Sequence, residues 1–254
     1  MAEAPDALRQ AGLAAALTAL GGIDGGEALP PTVTTQNQAA FQSARERVIE
    51  ALADRQLPLL LLGGDCTIVC ATMAVARPEK PLLLWLDAHG DFNTPQTTPS
   101  GYWPGMPLAQ VAGLPTPLGP KETLIPGQDI VLIGIRDLDP GEDRNVAGTG
   151  AHLFPDALPP IEALTMREPG SPAWIHLDLD VLDPREMPAL NFPVPGGIRM
   201  DELIIWLGQV GRRFNVRGIE VTAFDAHRDV EGRVAERLVQ WLSAIVRATW
   251  KSSE

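Results

Sequence analysis

Apolar runs of strand length alternate with segments of helical period along most of the chain. Leu57–Leu62 reads LPLLLL, continuous rather than alternating, the pattern of a strand covered on both faces. Similar runs fall at Leu82–Leu86 (LLLWL), Ile130–Ile135 (IVLIGI), Trp174–Leu179 (WIHLDL) and Val216–Val221 (VRGIEV). Between them lie helical patterns at Gln36–Asp54, Thr67–Ala76, Met200–Gly211 and Val234–Trp250. The last places apolar residues at 234, 238, 239, 242, 245 and 246, one face of a helix. This alternation predicts an α/β fold of three layers, αβα, with a mostly parallel sheet between helices. Gly and Pro, 24 of each, concentrate in Pro95–Pro120 and Pro184–Gly197. These segments read as long ordered loops after strands, where parallel-sheet proteins place their chemistry. With no internal repeat and no linker-like tract, residues 1–254 are expected to form a single domain.

Composition narrows the function. The chain has 254 residues, 45% of them hydrophobic, enough to bury a sizeable core. A net charge of −12 argues against nucleic acid as a partner, because phosphate backbones demand a cationic face. No apolar run is long enough for a membrane span. The opening residues, MAEAPDALRQ, lack a signal peptide's basic start and apolar stretch. Cys66 and Cys70 cannot build a disulfide framework, so a soluble cytoplasmic protein is expected.

The acids cluster at strand ends. Asp87-Ala-His89-Gly-Asp91 follows LLLWL directly, and in extended backbone residues 87, 89 and 91 point the same way. Asp178 and Asp180 repeat the device after WIHL, and Asp183 follows at a turn before Pro184. Gly63-Gly64-Asp65-Cys66 ends the first strand and brings a thiol to the same sheet edge. Carboxylates crowded together without a cation would repel and raise one another's pKa. A pair of divalent metals removes that difficulty, with carboxylates bridging and His or Cys completing each shell.

From about residue 57 onward the chain resembles the ureohydrolase family of arginases, agmatinases and formiminoglutamases. The resemblance rests on GGDC, DAHGDFNTPQTTPSG, GMPL, IGIRDLDPGE, HLDLDVLDP and the late Glu220. It implies an arginase-like fold and a two-manganese centre whose bridging hydroxide attacks a guanidinium carbon and releases urea. Asp87 and Asp178 would bridge both metals, Asp91 and Cys66 would complete one shell, and His89 and Asp180 the other. Asp91 would also hydrogen-bond the hydroxide, and Glu220 would pair with the substrate guanidinium. The DAHGDFNTPQTTPSG loop is closer to arginases, which read an α-amino acid. Asn93 and Ser100 match positions that bind the α-carboxylate, and Asp139 the acid that meets the α-amino group. The implied partners are a small cationic guanidino substrate and further copies of the chain in a homo-oligomer.

Four departures stand out. Cys66 replaces the metal-binding His of GGDH; a thiolate is softer and favours zinc, cobalt, nickel or ferrous iron over manganese, while the bland alternative is a small buried side chain beside an empty position. Pro104 stands where the family keeps a His that carries protons to the leaving amine, so general-acid help worth roughly two to four powers of ten is missing. Tyr102, in place of a substrate-contacting Asn, forms an aromatic wall with Trp103, for a planar cation or simply as a cover. Family members also begin with a strand ahead of the segment like Ala4–Leu20, which this sequence does not show: either the start was assigned late, or the sheet lacks a strand and exposes an edge that another subunit could cover.

The other groups are expected to be accessory. Cys70 packs in the core, His152 falls in an irregular Gly-rich region, and His176 hydrogen-bonds a ligand carboxylate from behind. His227, in Asp225-Ala-His227-Arg228-Asp229, copies D-A-H-x-D by coincidence, and Asp229 steadies its loop. Three readings follow: a metal-dependent hydrolase of guanidino or amidino compounds such as arginine, a non-catalytic ligand-binding or regulatory protein with a degenerate metal site, and a thiol enzyme using Cys66 as nucleophile. The first is the reading adopted.

Overall fold

Every strand in the sheet runs parallel to its neighbours, as the continuous apolar runs require. The computed structural model describes residues 3–28, 37–155 and 158–250. In it β1 (Leu59–Leu62), β2 (Leu82–Leu86), β3 (Ile130–Ile133), β4 (His152–Phe154), β5 (Pro172–Asp178) and β6 (Asn215–Thr222) pair in the order β1-β6-β5-β2-β3-β4. Helices α1 (Ala4–Gln10), α2 (Leu13–Thr18), α7 (Met200–Arg213) and α8 (Arg233–Trp250) cover one face. The other face carries α3 (Gln38–Ala53), α4 (Val69–Ala76) and the short α5 (Pro107–Val111). Helix α6 (Glu142–Thr149) leads into β4. The expected three-layer αβα architecture is present.

Strand alternation decides which residues meet the chemistry. Leu82, Leu84, Leu86, Ile175, Leu177, Ile219 and Val221 face the α7–α8 layer. Leu83, Trp85 and Trp174 face the α4–α5 layer. The period of two therefore sends Asp87, His176, Asp178, Glu220 and Thr222 to the α4–α5 side. Register aligns them in rows: Trp85 pairs with His176 and His176 with Glu220, while Asp178 pairs with Thr222 one step nearer the strand tips. The first row is buried in the sheet, and the second opens at its carboxyl edge.

The α8 pattern read from sequence is realised, with Val234, Leu238, Leu242 and Ile245 buried against the sheet. Each such side chain contributes about 1.5–3 kcal/mol on burial. Asp229 accepts hydrogen bonds from the Val234 and Ala235 N–H groups at 3.0 and 2.7 Å, satisfying orphan donors of the helix start.

Two expectations are corrected. Leu57–Leu62 is covered only in part, Leu60 and Leu62 packing on the α7–α8 side and Leu59 and Leu61 on the α3–α4 side; only Leu59–Leu62 is strand, half-buried at one end of the sheet among the described residues. A run of leucines satisfies an interior strand and a partly covered edge strand equally, and composition alone does not separate them. His152 is not in irregular chain but opens β4, the other end of the sheet, pairing with Val131. A strand of three residues is too short for its period to emerge from sequence. The expected helix at Gln36–Asp54 is present from Gln38 to Ala53; Gln36 lies outside the described residues.

Candidate metal centre

The tips of β1, β2, β5 and β6 converge on one buried cluster. Asp65 caps the turn after β1 through the Thr67 N–H at 3.0 Å, which places Cys66 inward. The Cys66 Sγ lies 3.0 Å from Asp178 Oδ2 and 4.0 Å from Asp87 Oδ2. Thr222 Oγ1 donates to Asp178 Oδ2 at 3.1 Å. One donor atom each from Cys66, Asp87, His176 and Asp178 falls within 4.8 Å of the others. A second group joins it through Asp87: His89 Nδ1 is 3.4 Å from Asp87 Oδ1 and 3.0 Å from Asp180 Oδ2. Asp180 in turn accepts the Ala88 N–H at 3.0 Å, tying the two acidic loops together.

Asp91 completes the cluster under strain. Its φ of +50° lies in the left-handed region, held there because its carbonyl accepts the Leu108 and Ala109 N–H groups at the start of α5. Its side chain is buried, and Oδ2 has no hydrogen-bond partner. A buried carboxylate oxygen without a partner is costly, and it lies beside the donor set that a cation would use. Of the six residues expected to hold metal, Cys66, Asp87, His89, Asp178 and Asp180 fall in these two groups, while Asp91 falls in neither and stands next to them, within the field of Asp178. Their chemistry fits two divalent ions, with carboxylates shared and a sulfur and a nitrogen at opposite ends.

Electrostatics point the same way. Burial, then repulsion from Asp180 and Asp178, pushes Asp87 well above the carboxylate range. Burial, then repulsion from Asp180, lifts Asp178 to about 8. The Cys66 thiol is raised by burial and by the negative field of Asp178. Although burial opposes charge on His89, hydrogen bonds to Asp180 and Asp87 hold it up to about 12, so without metal an imidazolium is the cluster's counter-charge.

These shifts give a signed prediction. Between the ordinary carboxylate value and about 8 the native chain holds a proton on Asp178 that the unfolded chain has released. Above the ordinary imidazole value, His89 does the same. Native chain binding more protons means stability that falls as pH rises. Chelator-treated protein is expected to melt several degrees lower at pH 8 than at pH 6, and metal-loaded protein to lose that slope. A midpoint of the chelated protein that is flat or rises would contradict the assignment.

The remaining expected residues lie around this core. Asn93 is buried and donates from Nδ2 to Asp139 Oδ2 at 2.8 Å, joining the two loops expected to read an amino acid. Ser100 lies on an exposed turn, its Oγ accepting the Tyr102 N–H at 3.2 Å. Pro104 is buried in a short 3-10 turn. Glu220 is fully buried behind the cluster: Oε1 is 2.7 Å from His176 Nδ1, and Oε2 accepts the Thr72 hydroxyl at 2.7 Å. His176 therefore contacts Glu220 rather than a carboxylate of the metal set through Nδ1. His227 is exposed and pairs with Glu3 at 2.6 Å, away from the cluster. Cys70 is buried in the core.

Four residues were not singled out by sequence. Glu142 accepts the Phe92 and Asp139 N–H groups at 2.8 Å each, clamping the loop after β2 to the loop after β3. The D-P-G-E spacing is the signal for it, since a Glu three residues after Asp139 reaches back to that residue's N–H as in a capping box. Gly90 makes this approach possible: a Cβ there would meet Leu138 Cδ2 at 2.5 Å and both Glu142 carboxylate oxygens at 3.0 Å. Arg136 donates to the Asp180 and Val194 carbonyls, each at 2.7 Å, and so fastens the Asp180 turn to the loop that follows it. Phe192, in that loop, is 54% exposed and places its ring 6.3 Å from His89 and 5.8 Å from Tyr102. The aromatic wall is thus built by Tyr102 with Phe192, 90 residues along the chain and without a pattern around it, whereas Trp103, the expected partner, packs against the α4–α5 core.

Comparison with known proteins agrees with this geometry. The chain matches the model of the Arginase family over residues 1–245. It is 36% identical over 165 residues to N(omega)-hydroxy-L-arginine amidinohydrolase of Streptomyces lavendulae, covering 64% of this chain and 59% of that protein. It is 34% identical over 187 residues to the arginase of Bacillus caldovelox, covering 66% of this chain and 62% of that one. The chain thus spans about three fifths of the length of these two relatives. The solved arginase of Bacillus subtilis superposes with a TM-score of 0.79 at 26% identity, over 95% of this chain and 91% of that structure. No helix among the described residues is long and apolar enough to cross a membrane. On the family match and the shared fold, this chain belongs to the arginase family.

Proposed function

We propose that the chain is a metal-dependent hydrolase that breaks a C–N bond of a guanidino or amidino compound such as arginine. The observation that carries this reading is the convergence of Cys66, Asp87, Asp178, His89 and Asp180 beside the unpartnered Asp91 Oδ2. Asp87 and Asp178 would be shared between two ions, with Cys66 and Asp91 at one and His89 and Asp180 at the other. Divalent ions held there supply activation of water at neutral pH for attack on the guanidinium carbon. Asp91, whose Oδ2 has no partner, would accept a hydrogen bond from the attacking water. Asn93 and Asp139, held as a pair by Glu142, would receive the α-carboxylate and α-amino groups, with Ser100 at the rim. Tyr102 and Phe192 would cover the planar guanidinium.

Pro104 provides no titratable group, so the proton for the leaving amine must come from elsewhere, and turnover is expected to be slow for the family. The test is metal content by mass spectrometry after growth with manganese, zinc, cobalt and nickel, followed by urea and amine release from arginine, agmatine and guanidinobutyrate. Metal-dependent product formation supports the reading. Bound metal and ligand-induced thermal stabilisation without product would assign the chain as a binding protein instead. Absence of any metal would overturn both.

A further inference from the structure

His176 is the one member of the buried donor group that the expected metal set does not include. It is 0% exposed, and its ring lies parallel to Trp85, centroids 3.6 Å apart at an interplanar angle of 3°. The stack and the sheet fix its plane. Nδ1 stands 2.7 Å from Glu220 Oε1, and a carboxylate there accepts, so Nδ1 carries the proton and Nε2 carries the lone pair. Nε2 finds little in return. Its contact is Thr222 Oγ1 at 3.4 Å, whose single hydrogen goes to the Asp178 carboxylate at 3.1 Å. With Nδ1 engaged, Nε2 is the donor atom that His176 offers to the Cys66, Asp87 and Asp178 group.

A carboxylate on one ring nitrogen and a cluster of anionic donors at the other is the arrangement in which metal-binding histidines are held. Four-coordinate zinc, with bonds of about 2.0–2.3 Å, needs donors roughly 3.3–3.8 Å apart. The Cys66 separations of 3.0 and 4.0 Å from Asp178 and Asp87 bracket that range. Glu220, in contrast, has both oxygens committed, to His176 and to Thr72, and no exposure through which to meet a substrate.

We propose that His176 Nε2 is a metal ligand at the Cys66 end of the centre, oriented by Glu220. This ion then sits among sulfur, nitrogen and carboxylate donors from Cys66, His176, Asp87 and Asp178. Such a set selects zinc, cobalt or ferrous iron over manganese. Glu220 is a positioning residue that acts through the imidazole, in place of the guanidinium contact expected of it. The inference rests on the metal-dependent reading above, and it concerns which side chains hold the ion rather than whether one is held.

Cobalt(II) titration of the metal-free protein tests it, because visible absorption reports donor type and geometry without any turnover. Wild type is expected to bind two ions, with a thiolate-to-cobalt charge-transfer band and the intense ligand-field bands of a low-coordinate site. His176→Gln is expected to shift the ligand-field bands and weaken one ion at least tenfold. Glu220→Gln, which keeps the shape, is expected to weaken the same ion about 10–100-fold while keeping the charge-transfer band. If His176→Gln does not fold, Glu220→Gln decides. Two ions bound by both variants with wild-type spectra and affinities would overturn the inference and leave the metal-dependent reading intact. The same holds if Glu220→Gln leaves cobalt binding unchanged and raises only KM for guanidines. Failure of wild type to bind cobalt would overturn both.

Discussion

Asp178→Asn protein is expected to retain at most one divalent ion per chain and to lose hydrolytic activity by on the order of a thousandfold or more. Both oxygens of the Asp178 carboxylate are engaged. Oδ2 lies 3.0 Å from Cys66 Sγ and accepts the Thr222 hydroxyl, while Oδ1 accepts the Asp180 N–H at 2.9 Å. An amide keeps the shape and can keep the Oδ1 contact, so the turn at Leu179–Val181 should survive. It removes the charge and presents N–H donors where a cation would need lone pairs. Burial and repulsion already hold Asp178 near pH 8, so the metal-free variant should be no less stable than metal-free wild type. Elemental analysis, kinetics and a thermal melt separate these effects. Two ions retained per chain would remove Asp178 from the centre.

The second large effect is on stability. Trp85→Ala is expected to destabilise the metal-free chain by about 3–5 kcal/mol, the usual cost of truncating a buried aromatic residue. For a chain of this size that lowers the midpoint by roughly 6–20 °C. Trp85 has no exposure, lies in the α4–α5 core and forms one face of the His176 sandwich. Its removal leaves the imidazole with Glu220 and Thr222 alone to fix it. Trp85→Phe should cost much less, since the indole Nε1 is itself buried without a partner and phenylalanine removes that lone donor. Thermal melts of the three proteins check the ordering. An alanine variant melting within about 2 °C of wild type would show that the ring does not support the sheet.

The parallel sheet was legible because LLLWL, IVLIGI and WIHLDL are apolar on both faces, which few other environments permit. The acidic tips were legible for a similar reason: Asp87 and Asp178 end runs in which only water exposure or a cation would tolerate a charge. What escaped was cooperation across long sequence separations. Glu142 and Arg136 act through backbone groups, whose positions depend on where two loops meet. Phe192 reaches Tyr102 and His89 from a loop that Arg136 fastens at Val194. The depth of His176 was read correctly from alternation, but its partner was not, because strand order places β6 beside β5 and sequence does not give that order.

The convergence at the sheet edge has a consequence for lifetime. Cys66, Asp87, Asp178 and their neighbours belong to segments far apart along the chain that close only when the central strands are in register. A dication held by all of them would act as a rivet across these strands. The strands could not separate until it departed, so metal should slow unfolding more than it speeds folding.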